Sequence, residues 1–272
     1  MSATAARTET REIARRRTSP VTRAIRDGMA VAGRNLIAYR RVPQLLVFST
    51  IQPVIFVLMF RYVFGGAINT PGVPYVDFLM PGIFVQTVVF GSLAAAIGLA
   101  TDLKSGLLER FRSLPMARSA VLSGRTLADL ARNVFVVILM AGVGFLVGFR
   151  IHGGVPAFLL AMALVLLFGY VLSWIFATLG LAVGDPETAQ AAAFPMLAPL
   201  VFASSAFVPI ASMPGWLQVW ARNQPVSVTV EAVRALVLGR PATALVLQTL
   251  AWAAGILLVF APLAVRRYRA AV

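Results

Sequence analysis

The sequence predicts an all-α, polytopic membrane protein, on three observations. Of 272 residues, 59% are hydrophobic and 12% charged, against about 45–50% and about 25% in an ordinary soluble domain. Long uncharged apolar runs recur along the chain, and about 18–20 such residues cross the hydrocarbon of a bilayer as a helix. Basic residues gather before, between and after particular runs instead of spreading evenly, as topogenic flanks do. A soluble enzyme is excluded, because a water-soluble globule of this size needs more polar surface. With no cysteine and one histidine, His152, disulfides, thiolate nucleophiles and most metal sites are excluded too.

Taken in order, residues 1–20 read as a disordered basic arm. In 21–43, Ile25, Met29, Ala32, Leu36 and Ile37 recur at helical spacing among Arg23, Arg26, Asp27, Arg34 and Arg40. That is an amphipathic helix at the membrane surface, or else a basic flank that orients the first span. Six spans follow, at 44–64, 78–101, 133–149, 155–184, 188–210 and 242–265. Arg61 interrupts the first, and Arg132 and Arg150 bound the third. Residues 266–272 form a basic tail. Nineteen of the 24 basic residues fall before span one, between spans two and three, or in that tail; Arg61, Arg150, Arg222, Arg234 and Arg240 fall on the other side. The positive-inside rule therefore places both termini in the cytoplasm. The net charge of +14 is suited to anionic lipid or an acidic partner, not to nucleic acid. The excess of arginine over a single lysine, Lys104, with abundant Ala, Gly and Val, hints at a GC-rich bacterial source.

Two stretches outside the spans are informative. Leu107, Leu108, Phe111 and Leu114 form an apolar stripe against Glu109, Arg110, Arg112 and Ser113, and Pro115 ends the helix at about 103–115. Such a helix either enters a groove on a partner or lies on head groups. The second stretch, 208–240, is apolar yet broken by Pro209, Pro214, Gly215 and Pro225, with Trp216 and Trp220 between them. Irregular backbone at membrane depth needs surrounding protein, so short re-entrant helices are expected there, one of them carrying Glu231 and Arg234 before Gly239-Arg240-Pro241.

No catalytic residue and no metal site is expected. Asp77, Asp102, Asp185 and Glu187 sit at span edges, and no carboxylate pair has acid–base or metal spacing. Gly98 with Lys104 and Ser105 only approximates a nucleotide-binding loop, since Leu103 occupies a required glycine position. An energy source must come from outside the chain. The glycine pairs Gly144/Gly148 and Gly180/Gly184 have the spacing that lets helices approach closely.

The order of a basic surface helix, six spans, Leu108-Glu109-Arg110-Phe111-Arg112-Ser113-Leu114-Pro115 after the second span, and Pro214-Gly215-Trp216 followed by Asn223-Gln224-Pro225-Val226 and Glu231-Ala232-Val233-Arg234 resembles the type 2 ABC-transporter permeases, above all the daunorubicin and doxorubicin resistance permeases. The resemblance implies an exporter half in the bacterial cytoplasmic membrane. Two permease chains would pair, and separate cytoplasmic ATPase chains would bind ATP and Mg, none of it held by this chain. It makes Leu107–Leu114 the coupling helix, with Leu107, Leu108, Glu109, Arg110, Phe111, Arg112 and Leu114 facing the ATPase. Ile25, Met29 and Leu36 belong to the connecting helix beside it. Pro214, Trp216, Pro225, Glu231 and Arg234 mark the re-entrant gate of 208–240. Gln52, Phe56, Gln86, Phe90 and Phe202 become candidates for the path of an amphiphile entering from the inner leaflet. An ion-coupled secondary transporter would need a buried acid or an internal repeat, and a lipid-modifying enzyme a carboxylate or histidine cluster; the sequence offers neither.

Overall fold

A computed structural model describes residues 43–68, 70, 72–106 and 118–271. The coupling residues Leu107 to Leu114 and the connecting-helix residues Ile25, Met29 and Leu36 lie outside the described residues. Among the described residues all regular structure is helical.

Helix α1 (Pro43–Leu58) carries Pro53 inside and runs on into a π-helical turn, Met59–Phe64. A proline there withholds one backbone N–H from the ladder and disturbs it locally. Helix α2 (Tyr75–Lys104) is the hub: it packs on α1 and on most of the helices described below, and most of its side chains are buried. Helix α3 (Arg118–Leu146) begins well before the expected 133. An arginine beside an apolar run looks like a boundary, yet no proline or glycine stands between Arg125 and Gly142 to stop a helix. Arg132 therefore lies inside α3, and Arg61 is not alone in interrupting the apolar helices. Helix α4 (Gly154–Val183) ends at Gly184, whose φ of 75° is the left-handed conformation that terminates helices.

Helix α5 (Pro186–Phe202) opens with Asp185, whose side chain accepts from the Thr188 N–H at 3.0 Å. It stops at Phe202, eight residues before the expected end at 210. Pro195 and Pro199 are inside it, and the serines and Gln224 described below replace the ladder beyond. A short 3₁₀ turn (Ile210–Ser212) leads into α6 (Gly215–Asn223) and α7 (Pro225–Val237), and α8 (Thr243–Ala271) follows, continuing through Arg266, Arg267 and Arg269. Four helices, α2, α3, α4 and α8, are long and apolar enough to cross a membrane; α5, at 17 residues, falls short of that length by itself.

Side-chain contacts fix the directions. Near Tyr75, the start of α2, lie the end of α3 through Arg150, the end of α5 through Phe207, and α7 through Arg234. Near Lys104, the end of α2, lie the start of α3 through Arg125, the start of α5 through Asp185, and the end of α8, where Tyr268 packs with Leu99. Gln52 of α1 is level with Gln86, and Phe60 with Phe207. Thus α1, α2, α3, α4, α5 and α8 alternate in direction, and α6 with α7 sit at the Tyr75 end. Each expected glycine pair divides its labour. A Cβ on Gly180 would lie 2.2 Å from the Ala96 carbonyl oxygen, so this glycine permits close approach of α4 and α2, whereas Gly184 ends a helix.

Candidate functional site

Two constellations stand out, one midway along the helices and one at the Tyr75 end. The first is a cavity of about 120 Å³ between α1, α2 and α3, lined by Gln52, Pro53, Gln86, Thr87, Phe90, Gly91, Arg132, Asn133 and Val136. Three of the path candidates, Gln52, Gln86 and Phe90, thus meet in one place. Arg132 stands midway along α3, about 20 Å from either end at a rise of 1.5 Å per residue. Its side chain is buried, and Nη2 donates to the Gly91 carbonyl and, at 3.2 Å, to Asn133 Oδ1. Gly91 makes the room: a Cβ there would lie 2.6 Å from Asn133 Oδ1 and 3.1 Å from Arg132 Nη2. Arg132 and Asn133 are not among the sequence-based candidates, because an arginine beside an apolar run looks like a flank. The uninterrupted stretch after Arg125 was the signal that could have found them.

The other two path candidates, Phe56 and Phe202, do not reach this cavity. Their rings lie 6.2 Å apart in a cluster with Phe60 and Phe207, the last two stacked at 4.4 Å. Phe90, on the cavity wall, also meets Phe194 of α5 at 6.4 Å. A polar notch and an aromatic wall therefore occupy neighbouring levels of the same side of the bundle, which suits a ligand with a polar head and a flat apolar body.

The second constellation holds the break after α5. Arg234 is 4% exposed; Nε donates to the Phe78 carbonyl at 3.0 Å, Nη2 to the Ser205 carbonyl at 2.7 Å, and Nη1 to Glu231 Oε1. Its guanidinium carbon lies 3.6 Å from the centre of the Phe78 ring. Gln224 Nε2 donates to the Leu200 carbonyl and Ser227 Oγ, Ser227 Oγ accepts from the Ser205 N–H, and Tyr75 donates to the Phe207 carbonyl at 3.1 Å. Backbone freed where α5 ends is thus satisfied by side chains of α2 and α7, as burial demands. Gly82 is the reason the segment can lie so near α2, since a Cβ there would be 2.0 Å from the Ala206 carbonyl oxygen. Of the expected gate residues, Pro225, Glu231 and Arg234 belong to this junction, with Pro225 at the first position of α7. Pro214 and Trp216 do not join it; Pro214 precedes α6 and Trp216 is 75% exposed.

The Lys104 end is held by ion pairs. Arg125 Nη1 meets Asp102 Oδ2 at 2.7 Å, its guanidinium lying over Gly98, and Lys104 Nζ meets Asp185 Oδ1 at 2.7 Å. The hydrogen bond from Lys104, with those from the N–H and hydroxyl of Thr188, holds the Asp185 carboxyl down at about 2. At the opposite end Asp77 accepts from the Arg150 N–H at 2.9 Å and lies 2.8 Å from His152 Nε2. No group of three or more His, Cys, Asp or Glu side chains able to hold a metal ion occurs among the described residues.

Residues 27–238 match the family described as ABC-2 type transporter. The chain is 38% identical to a daunorubicin resistance ABC transporter permease protein of Streptomyces coeruleorubidus over 236 residues, 87% of this chain and 83% of the relative. It is 31% identical to a probable doxorubicin resistance ABC transporter permease protein of Mycobacterium tuberculosis over 193 residues, 71% of this chain and 70% of that one. It is 27% identical to a putative transport permease of Cyanophora paradoxa over 218 residues, 78% of this chain and 74% of that one.

Proposed function

Because this chain belongs to the ABC-2 type transporter family, we propose that it is the membrane-spanning permease of an ATP-driven exporter, moving a hydrophobic or amphiphilic compound out across the cytoplasmic membrane. The observation that carries the reading beyond membership is the mid-length polar cavity between α1, α2 and α3, a place for a polar group inside otherwise apolar helices. The chain spans six times, as α1 with its π-helical turn, α2, α3, α4, α5 and α8, with the Lys104 end in the cytoplasm. Alternating direction and the concentration of basic residues at that end support this topology. Helices α6 and α7 re-enter the outer leaflet and close the exit.

Energy comes from a separate ATPase subunit that binds ATP and Mg. The segment about 103–115 docks on it, with Phe111 as the apolar anchor, and the helix of 21–43 lies alongside on the lipid surface. Closure of the ATPase pair moves these helices as levers, and two permease chains, identical or sibling, exchange states that open to different leaflets. No residue of the permease forms a covalent bond to substrate. The test is transport by vesicles that hold the permease and its ATPase: Phe111→Ala should insert normally and leave the ATPase hydrolysing at its own basal rate, while export falls at least about tenfold. Export at the wild-type rate in that variant would refute the coupling role.

A further inference from the structure

We propose that the notch around Arg132 is a binding site for the oxyanionic head, carboxylate or phosphate, of an amphiphile that carries a hydroxyl beside the acid. This deepens the permease reading and rests on it. Arg132 is the one charged residue lining the cavity, and its hydrogen bonds go to the Gly91 carbonyl and the Asn133 amide oxygen, neither of them charged. Among the described residues no ion pair joins it to a carboxylate. A guanidinium cannot shed its proton, and one at this depth whose hydrogen bonds among the described residues all go to uncharged groups, with buried Asp129 one turn away making no ion pair to it there, is suited to receive an anion. Both bonds use Nη2, and a guanidinium fork has further N–H donors suited to the two oxygens of a carboxylate or phosphate.

A second observation points the same way. Gln86 is 2% exposed, lines the same cavity, and its Oε1 has no hydrogen-bond partner among the described residues. A buried amide oxygen without a donor is costly, and a ligand hydroxyl beside the oxyanion would satisfy it. Size restricts what enters. At about 120 Å³ the cavity is well below the roughly 300–1,000 Å³ that encloses a drug-sized molecule, so it takes a head group, and the apolar body lies outside against Phe90 and Phe194.

The test uses the full-length permease, with its ATPase where that co-purifies, in maltoside micelles. Binding of dodecyl phosphate, dodecyltrimethylammonium and dodecanol is read by calorimetry. Dodecyl phosphate should bind best, and Arg132→Gln should weaken it by at least about tenfold while Arg266→Gln on α8 leaves it unchanged. Gln86→Leu keeps the guanidinium should Arg132→Gln fail to fold. It should lower affinity for 2-hydroxydodecanoate but not for dodecanoate. Phosphorus analysis separates the sources: a phospholipid that co-purifies with wild type but not with Arg132→Gln makes the ligand a lipid head group, and its absence makes it a transported acidic amphiphile. Equal binding of the ammonium probe, or undiminished phosphate binding in Arg132→Gln, overturns the site. If the ATPase still co-purifies in that case, the permease reading survives and only the oxyanion site falls.

Discussion

A single buried guanidinium, that of Arg234, reaches three parts of the chain at once: α2 through the Phe78 carbonyl, the break after α5 through the Ser205 carbonyl, and its own helix through Glu231. Methionine in its place would fill similar volume but leave the buried Ser205 carbonyl without a donor, at a cost of about 1–3 kcal/mol, and take the second donor from the Phe78 carbonyl, which keeps its place in the helix ladder. Arg234→Met should therefore lower the unfolding temperature in detergent clearly, whereas Arg240→Met, at an exposed position, should not. Gly180→Ala brings a methyl to 2.2 Å from the Ala96 carbonyl oxygen. Its expected destabilisation is about 1–3 kcal/mol, from forced separation of two backbones, measured by the same melt. The Lys104–Asp185 contact has a signed pH dependence. Its carboxyl titrates at about 2, below the ordinary 3.8, so the contribution is complete above that ordinary value and is lost as pH falls toward about 2. The difference in unfolding temperature between wild type and Lys104→Met should stay constant down to about pH 4 and shrink below it.

At the scale of elements, the informative feature is how α5 ends. Its last carbonyls and the serines after it are capped by Gln224 and Ser227 across the junction rather than by another turn of helix. Gln224→Leu should loosen this segment, seen as faster backbone hydrogen exchange over 200–207 with exchange in α4 unchanged. The same elements show what is legible in sequence. Helix α4 was predicted to within a residue at each end, because a long apolar run bounded by Gly153-Gly154 and Gly184-Asp185 offers no alternative. Breaker density in 208–240 announced the short helices α6 and α7. The end of α5 and the start of α3 were misplaced for opposite reasons. Hydrophobicity continues past Phe202 although tertiary hydrogen bonds end the helix there, and a charge at Arg132 mimics a boundary although a glycine on α2 gives it a place inside. The pairing of Gln52 with Gln86, and of Phe56 with Phe202, depends on helix rotation, which composition does not reveal; the first pair lines the cavity and the second belongs to a separate aromatic cluster.

At the scale of the molecule, α2 and α4 form a buried centre while α8 presents Leu247, Leu250, Leu258 and Val259 outward. Helices α1, α2, α3, α4, α5 and α8 alternate in direction, with ion pairs at the Lys104 end and a hydrogen-bonded cap of α6 and α7 at the other. On the proposed function, a body tied at both ends carries displacement of its Lys104 end to the notch without chemistry in between, as an externally powered permease requires. The most direct measurement of this account is co-purification of the tagged full-length chain from mild detergent with an ABC ATPase subunit of its own organism. The account predicts that the ATPase accompanies wild type in about equal amount and is released by Phe111→Ala and Arg112→Ala, with the permease itself remaining monodisperse. Recovery of the chain with no ATPase, under conditions that preserve another ABC exporter complex, would contradict it.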